Sequence, residues 1–395
     1  MPWKISSANG ERTRFVRGAL KQLHPFSQLC QAFGISRTCG YRWLRRFQQE
    51  GWAGLRPRSR RPRTSPRRML RRWRAAVQRL RQRRPHWGAK KIHARLRRKF
   101  PRARLPAVRT ITKWLPRLCV MPRRQRHTRR GPRLTLPPLT RPAAPNDVWT
   151  VDFKGAFRTA DGVRCDPLTV RDLFSRHLLA VRILRHQRQA PVRRVFLGLF
   201  RRYGLPKVIR MDNGSPFGST GAQGLSSLSV WWLTLGIQVE FIRPGHPEEN
   251  GAHEQMHREL KRDTTRPPAA HARGQQTRSD RWRRYYNTAR PHEALAGRYP
   301  NDLYRRSRRA YRGPQRIRYP HGWVVRYVRH NGQIKWQGRL RSIGEAFVGY
   351  PVALREASAG IYEVCFQRLL LGTLHDRDAS GLRPTKPRRS QPETL

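Results

Sequence analysis

The period of the apolar residues changes twice along this chain. Over residues 27–47, SQLCQAFGISRTCGYRWLRRF, it is helical. Ser27 can cap a short helix carrying Leu29, Cys30 and Phe33, and Gly34 ends it. Ser36 can cap a second helix, with Cys39, Trp43, Leu44 and Phe47 on one apolar face. Two helices across a tight Gly-containing turn make a helix-turn-helix, expected over 1–56. Its second helix offers Ser36, Arg37, Thr38, Tyr41 and Arg42 to a major groove. A plain helical hairpin is the alternative. After a basic linker (57–66), Met69, Trp73, Val77 and Leu80 mark another amphipathic helix. Ile92 with Leu96, then Val108, Ile111 and Leu115, mark two more, giving a second helix-turn-helix-like unit over 67–120. Arg109, Thr110 and Lys113 are its candidate readers, although a solvated basic surface would look the same.

Residues 121–146 are rich in Arg and Pro and have no period, which predicts a linker. The pattern then turns to strands. VWTVDFKG alternates, Asp161-Gly162 makes a hairpin turn, and PLTVRDL and LLAVRIL continue the meander. Val192, Val195, Phe196, Leu199 and Tyr203 return to helical spacing, closed by Gly204. PKVIRMDNG is a short strand, a helix follows around Leu225, Leu228, Trp232 and Leu235, and IQVEFI is a further strand. Meandering strands followed by alternating helix and strand predict a mixed-sheet α/β core over 147–300. Beyond a linker (301–316), GWVVRYV, QIKW, VGYPVAL, IYEVCF and LLLGTL are short strands at regular spacing, which predicts a small β-barrel over 317–376. The last residues, 377–395, are polar and predict a disordered tail.

Charge sharpens the picture. Lys and Arg number 86 against 23 Asp and Glu, a formal net charge of +63. Self-repulsion of that size opposes compaction and calls for a polyanionic partner. Arg outnumbers Lys, and its planar fork suits phosphate. The expected partner is double-stranded DNA, with no small-molecule substrate. No run of about 18 apolar residues marks a membrane span. The five cysteines are scattered without CxxC pairs, which fits a reduced, cytoplasmic, nucleoid-associated protein and no structural zinc.

Against that background a few carboxylates stand out. Asp152 lies within the first strand, with Val151 and Phe153 on the opposite face, and a charge there needs a partner. Asp212 ends a strand and enters the turn DNGSPF. Glu254 falls on the helix opened by HPEENGAHEQMHREL, which Asn250 or Glu249 can cap. Carboxylates converging from two strands and a helix would coordinate hard divalent cations, above all Mg²⁺. Two such ions activate a water or hydroxyl for in-line attack on phosphorus. For any one acid, a satisfied structural carboxylate is the alternative; for Asp172, a pair with Arg176 is the expectation.

VWTVDFKG, VIRMDNGSPF, PGHPEENGAHEQMHRELKRDTTRPPA and RRYYNTARPHEAL together resemble the integrase core of bacterial insertion-sequence transposases, the DDE enzymes related to retroviral integrases. ISRTCGYRWLRRFQQEGWAGLRPRSRRP and PHWGAKKI resemble their paired helix-turn-helix units; NGQIKWQG and AFVGYPVAL resemble their small β-barrel. The resemblance implies a ribonuclease-H-like core with a mixed five-stranded sheet. It implies Asp152, Asp212 and Glu254 as the catalytic, metal-binding triad for two Mg²⁺ ions, with Mn²⁺ able to substitute. The family's glutamate follows N-G by three, which selects Glu254 over Glu248 and Glu249. His257, Arg258 and Lys261 share the face of Glu254 and, with Asn250, are read as holding the DNA end. An intrahelical salt bridge to Glu254 is the alternative. Between Asp212 and Glu254 the chain is longer than in relatives, and the extra residues fall in GSPFGSTGAQGLSSLS. Arg290 and His292 either touch DNA or anchor their loop. The activity implied is cleavage and strand transfer at the element's terminal inverted repeats, by at least a dimer. The alternative is a non-catalytic DNA-binding protein, a repressor or domesticated relic.

DNA affinity should fall by ~10³–10⁵ between 50 and 200 mM salt if ~6–10 phosphates are neutralised. A log–log salt titration of duplex binding measures this, and a flat slope would remove the electrostatic reading of the charge.

Overall fold

The computed structural model describes residues 8–58, 71–118, 139–243, 251–378 and 381–384. It divides into two compact units, 1–70 and 71–395. Among the described residues no helix is long and apolar enough to cross a membrane.

In the first unit α1 (Ala8–Lys21), α2 (Phe26–Ala32) and α3 (Arg37–Glu50) enclose Phe15, Val16, Leu29, Cys30, Ile35, Trp43 and Leu55. The Ser36 hydroxyl caps α3 by accepting from the Cys39 N–H. The cap expected of Ser27 does not form: α2 begins two residues earlier, with Pro25 in the cap position, so Ser27 lies inside the helix. Gly34 stops α2 with a left-handed φ of 64°, open to glycine at no steric cost. A side chain on Gly40 would meet Cys30 Sγ at 2.8 Å and the Phe15 ring at 2.9 Å, so only glycine lets α3 approach α1 and α2.

The second unit begins with α4 (Arg71–Arg83), α5 (Ala89–Lys99) and α6 (Val108–Leu118). Trp73, Val77, Ile92, Leu96, Ile111 and Leu115 face inward as their spacing predicts, while Met69 lies outside the described residues. These helices are tied to the following core by polar contacts. Arg95 donates to the Tyr299 hydroxyl at 2.8 Å, Arg98 pairs with Asp302 at 2.5 Å, and Lys90 pairs with Glu293.

The core sheet contains β1 (Val148–Phe153), β3 (Arg164–Asp172), β4 (Leu178–Leu184), β5 (Val208–Met211) and β6 (Gln238–Phe241). Its order is β4-β3-β1-β5-β6, antiparallel from β4 to β1 and parallel from β1 to β6. A sixth, two-residue strand, β2 (Phe157–Arg158), pairs with the start of β3. This is the mixed-sheet order expected of a ribonuclease-H-like core. Trp149, Val151, Leu168, Val170, Ile209 and Met211 pack under α7 (Gln189–Tyr203) and α8 (Ser227–Thr234). On the other face Leu178 and Val181 pack with α9 (Gly251–Thr264) and α10 (Ala272–Thr288) through Met256, Leu260, Trp282 and Tyr286.

After the short α11 (Pro300–Leu303) come β7 (Val324–Tyr327), β8 (Gln333–Trp336), β9 (Arg339–Ser342), β10 (Pro351–Ser358), β11 (Ile361–Phe366), β12 (Leu369–His375) and β13 (Arg383–Pro384). The expected barrel is not closed among the described residues. Five strands run in the order β13-β12-β11-β10-β7, while β8 and β9 form a separate ribbon. Closure needs a ladder between β7 and that ribbon; β7 instead ends the sheet with all four residues exposed. The strands still enclose an apolar core that includes Ile334, Phe347, Val352, Val364, Phe366 and Leu371.

Gly40→Ala should destabilise the first unit by about 1–3 kcal/mol through overpacking. Thermal unfolding of the full chain measures it, and an unchanged first transition would mean that the three helices do not pack this closely.

Candidate active site

Strands β1 and β5 run parallel, pairing Val148 with Val208 and Thr150 with Arg210. Continued by two residues, that register sets Asp152 beside Asp212 at the carboxyl ends of the two strands. Alternation fixes which face each side chain takes. Trp149, Val151 and Phe153 go to the apolar core, so Thr150 and Asp152 go to the face under α9. Thr169, paired across from Asp152, shares that face. A carboxylate in this strand is tolerated because its side of the sheet carries a polar layer rather than a second apolar core.

Asp212 sits one residue past β5, in the turn DNG. Asn213 Nδ2 donates to the Ile242 carbonyl at 2.7 Å, which ties the turn to the end of β6. A Cβ on Gly214 would lie 3.3 Å from an Asp212 carboxylate oxygen, so glycine lets the backbone come close enough to donate to it. Burial pushes the Asp212 carboxyl up, opposed only by the backbone N–H groups of Gly214 and of Asp212 itself. Among the described residues neither Asp212 nor Glu254 forms an ion pair with Lys, Arg or His, in a chain holding 86 Lys and Arg. Hard oxygen donors left without a cationic partner suit a divalent cation.

Helix α9 supplies the third element. His253 and His257, one turn apart, face the sheet with residue exposures of 0% and 6%. The Thr169 hydroxyl lies 2.7 Å from Nε2 of each ring and 3.0 Å from the Asp152 carbonyl. His253 Nδ1 is 3.0 Å from the Thr150 hydroxyl, and His257 Nδ1 is 3.8 Å from Asp152 Oδ2. Burial first, then neighbouring cations, keeps both rings neutral: His253 lies well below the ordinary value beside Arg171, and His257 is pushed down to about 3, near Lys154 and Arg171. Lys154 is itself lowered by burial and by Lys261, against the opposing pull of Asp152. Glu254 sits one turn before His257 and is exposed, with Arg258 and Lys261 exposed further along.

Three expectations change here. His257 was expected to hold DNA beside Arg258 and Lys261. It is buried because α9 packs through Met256 and Leu260, and position 257 turns inward with them. The intrahelical salt bridge of Glu254 does not form among the described residues. The partner of Asp172 is not Arg176: its carboxylate accepts from the Ser175 hydroxyl at 2.5 Å and from the N–H groups of Ser175 and Asn146 at 2.7 Å. Arg290 and His292 are buried anchors, Arg290 donating to Glu259 on α9.

Elsewhere, Ser36, Arg37, Thr38, Tyr41 and Arg42 are all exposed on α3 or its cap. On α6 Arg109 and Lys113 are exposed and Thr110 is half-buried. Asn250 lies outside the described residues. Asp152 and Asp212 are therefore brought to adjacent strand ends and Glu254 is carried on α9. Among the described residues no three His, Cys, Asp or Glu side chains gather as a preformed metal cluster. Thr150, Thr169 and Lys154 were missed by sequence reasoning; alternation with Asp152 was the available signal for Thr150.

Comparison with known proteins identifies the class. An integrase core domain matches residues 142–247 and again 235–300. A helix-turn-helix domain matches 11–63, a homeodomain-like domain 39–115, and the C-terminal domain of IS481 family transposases 323–380. The matched domains are thus helix-turn-helix, integrase core and IS481-type transposase C-terminal domains, and the similar curated proteins come from insertion elements. It is 30% identical over 177 residues to an uncharacterized 31.7 kDa protein of insertion element IS407 from Burkholderia multivorans, covering 44% of this chain and 60% of that one. A 39.2 kDa protein of insertion element IS476 from Xanthomonas euvesicatoria is 31% identical over 161 residues, 40% of this chain and 43% of that one. The chain thus spans about half the length of these relatives. Among solved structures, the HTLV-2 integrase catalytic core domain in complex with magnesium aligns over 42% of this chain and all of that one, with a TM-score of 0.31 and 15% identity.

A carboxyl raised by burial favours its protonated form in the fold, so folding loses stability as pH rises from the ordinary carboxylate range through the raised value. Asp212→Asn removes that loss. Without divalent metal, the variant should melt higher than wild type at neutral pH, with the gap closing below about pH 4. A lower melting temperature at neutral pH would show that no burial penalty acts on Asp212.

Proposed function

We propose that this protein is a DDE-type transposase that binds the terminal inverted repeats of its own element, cuts the DNA ends and joins them to target DNA. One observation carries the reading: Asp152 and Asp212 stand at the carboxyl ends of adjacent parallel strands of an integrase core, with Glu254 on the helix above. In this reading Asp152, Asp212 and Glu254 hold two Mg²⁺ ions, or Mn²⁺ in their place. Bound metal would lower the barrier to in-line attack by water, and then by the freed 3′-hydroxyl, and steady the leaving oxygen.

The rest is done by the chain's own groups. Ser36, Arg37, Thr38, Tyr41 and Arg42 read base edges from the exposed side of α3, and Arg109, Thr110 and Lys113 act similarly on α6. Arg258 and Lys261 project from the outer side of α9 and, with Lys154, fix the phosphates of the DNA end. The turn at Asn213 and Gly214 aims Asp212. No covalent protein–DNA intermediate is required. Residues 1–56 and 67–120 serve as DNA-reading domains, 147–300 as the catalytic core, and 317–376 as a further phosphate-holding module. Joining two ends at once calls for at least a dimer on DNA, at work on the bacterial nucleoid.

Wild type and Glu254→Gln are compared for Mg²⁺-dependent cleavage and joining of a labelled duplex carrying the element's end. The substitution keeps size and removes charge, so end binding should persist while cleavage falls by about 10²–10³-fold, of the order seen when a key transition-state group is lost. Binding without cleavage in both proteins would instead favour a repressor or domesticated relic.

A further inference from the structure

Two histidines and two threonines lie between α9 and the strand that bears Asp152, and no role in the chemistry just described uses them. Their hydrogen bonds are over-determined enough to give directions. A neutral imidazole has one N–H and one lone pair, and a hydroxyl has one proton to give. The Thr169 hydroxyl has three neighbours: Nε2 of His253, Nε2 of His257 and the Asp152 carbonyl. Its proton can go to the carbonyl only if both rings donate from Nε2. His257 would then turn the bare lone pair of Nδ1 toward the Asp152 carboxylate, 3.8 Å away, and like partial charges would face each other. Giving the proton to His253 Nε2 leaves His257 in the same conflict, whereas giving it to His257 Nε2 removes it. The Thr150 hydroxyl lies 3.0 Å from His253 Nδ1 and 3.4 Å from the Arg171 carbonyl, and donates to the nearer His253 Nδ1. His253 Nε2–H donates to Thr169, and Thr169 to His257 Nε2. Nδ1–H of His257 is then left aimed at Asp152.

We propose that Thr150, His253, Thr169 and His257 form one directed hydrogen-bond chain whose last N–H orients the Asp152 carboxylate, making Thr169 and the two histidines positioning residues for the active site. The contact at 3.8 Å is too long for a hydrogen bond and acts as an electrostatic steer. Each link is buried, so the links polarise one another, and losing any one frees the rest to reverse. The same chain pins α9 to the sheet at two successive turns and so sets the height of Glu254, one residue along from His253. Partners of this kind around metal-binding carboxylates typically tune metal affinity by about 10–100-fold. The inference rests on the proposed role of Asp152 as a metal ligand, but the direction of the chain does not.

Two measurements separate those claims. In the full-length protein labelled with ¹⁵N-histidine, long-range ¹H–¹⁵N correlation reports each tautomer, with the two signals assigned by His253→Gln and His257→Gln. The expected result is Nε2–H for His253 and Nδ1–H for His257; Nε2–H on both rings would overturn the proposal whatever the protein's activity. Calorimetric titration with Mn²⁺ then compares wild type, Thr169→Val and Thr169→Ser. Thr169→Val should bind about 10-fold more weakly, with DNA-end affinity unchanged, and Thr169→Ser should recover most of the loss. Equal metal affinity in Thr169→Val and wild type, or a Thr169→Ser variant as weak as Thr169→Val, would sink the positioning role. Should wild type bind no Mn²⁺, the metal-site reading fails while the tautomers still decide the chain.

Discussion

Everything in this molecule is arranged around a shortage of negative charge. With 23 carboxylates for 86 Lys and Arg, each acid is a scarce means of relieving repulsion between cations. Several are used that way among the described residues of the second unit. Glu259 takes Arg290 and Lys91, Glu240 takes Arg210, Asp147 takes Lys207, and Asp302 takes Arg98. These pairs join neighbouring strands of the sheet, α9 to the segment after α10, and the α4–α6 unit to the core. Leaving Asp212 and Glu254 outside any ion pair among the described residues therefore runs against the dominant electrostatic pressure. On the proposed function a divalent cation would balance these two carboxylates, and DNA the surplus of surface Arg.

The second constraint is geometric. A central strand with both faces apolar could not carry Asp152, and one with an ordinary wet face could not hold α9. The sheet resolves this with Thr150, Thr169 and Arg171 on the face that carries Asp152, covered by two neutral histidines. Arg171 is wholly buried there and is pushed down to about 10 by burial, beside Tyr286. Met256 and Leu260 give α9 its apolar grip further along, so the helix is greased at one end and hydrogen-bonded at the other. Its middle also carries Glu259, held by Arg290 from the core and Lys91 from α5. The helix bearing Glu254 is thus fixed by three separate parts of the second unit.

What could be read in advance follows from which interactions are local. The period of two in VWTVDF and the helical spacing of Val192, Phe196 and Leu199 report burial directly, and those elements stand where the pattern sets them. α1 escaped notice because Phe15 and Val16 are its only wholly buried large side chains, too few to make a stripe. The inward turn of His257 was hidden, since a polar residue on a helix says nothing about whether a polar sheet face awaits it. Asp172 pairs with Ser175 within a turn in which Arg176 adopts a left-handed φ of 62°, a local geometry that sequence spacing does not report. Barrel closure depends on a ladder between strands far apart in the chain, and local alternation carries no information about it. The candidate acids were legible as residues in a motif; the layer that holds them was not.

The long segment after Asp212 shows how distant parts bear on the site. From Gly214 the chain runs through a tight turn, crosses back so that Gly218 bridges Leu225, and enters α8. Leu225 and Val230 are buried in the apolar core of the C-terminal strands rather than that of the sheet. Gln223 donates to the Leu370 carbonyl, and Gln367 returns the contact by donating to the Leu233 carbonyl. The turn that aims Asp212 is therefore clamped at one end by Asn213 on β6 and at the other by β12 and its neighbours. Within the Gly- and Ser-rich stretch Phe217 is buried in the core of the sheet, and its carbonyl accepts from the Ser226 and Ser229 hydroxyls. Docked on the C-terminal strands, the stretch makes their apolar core part of what holds the carboxylate in place, so these strands bear on the site without contributing a residue to it.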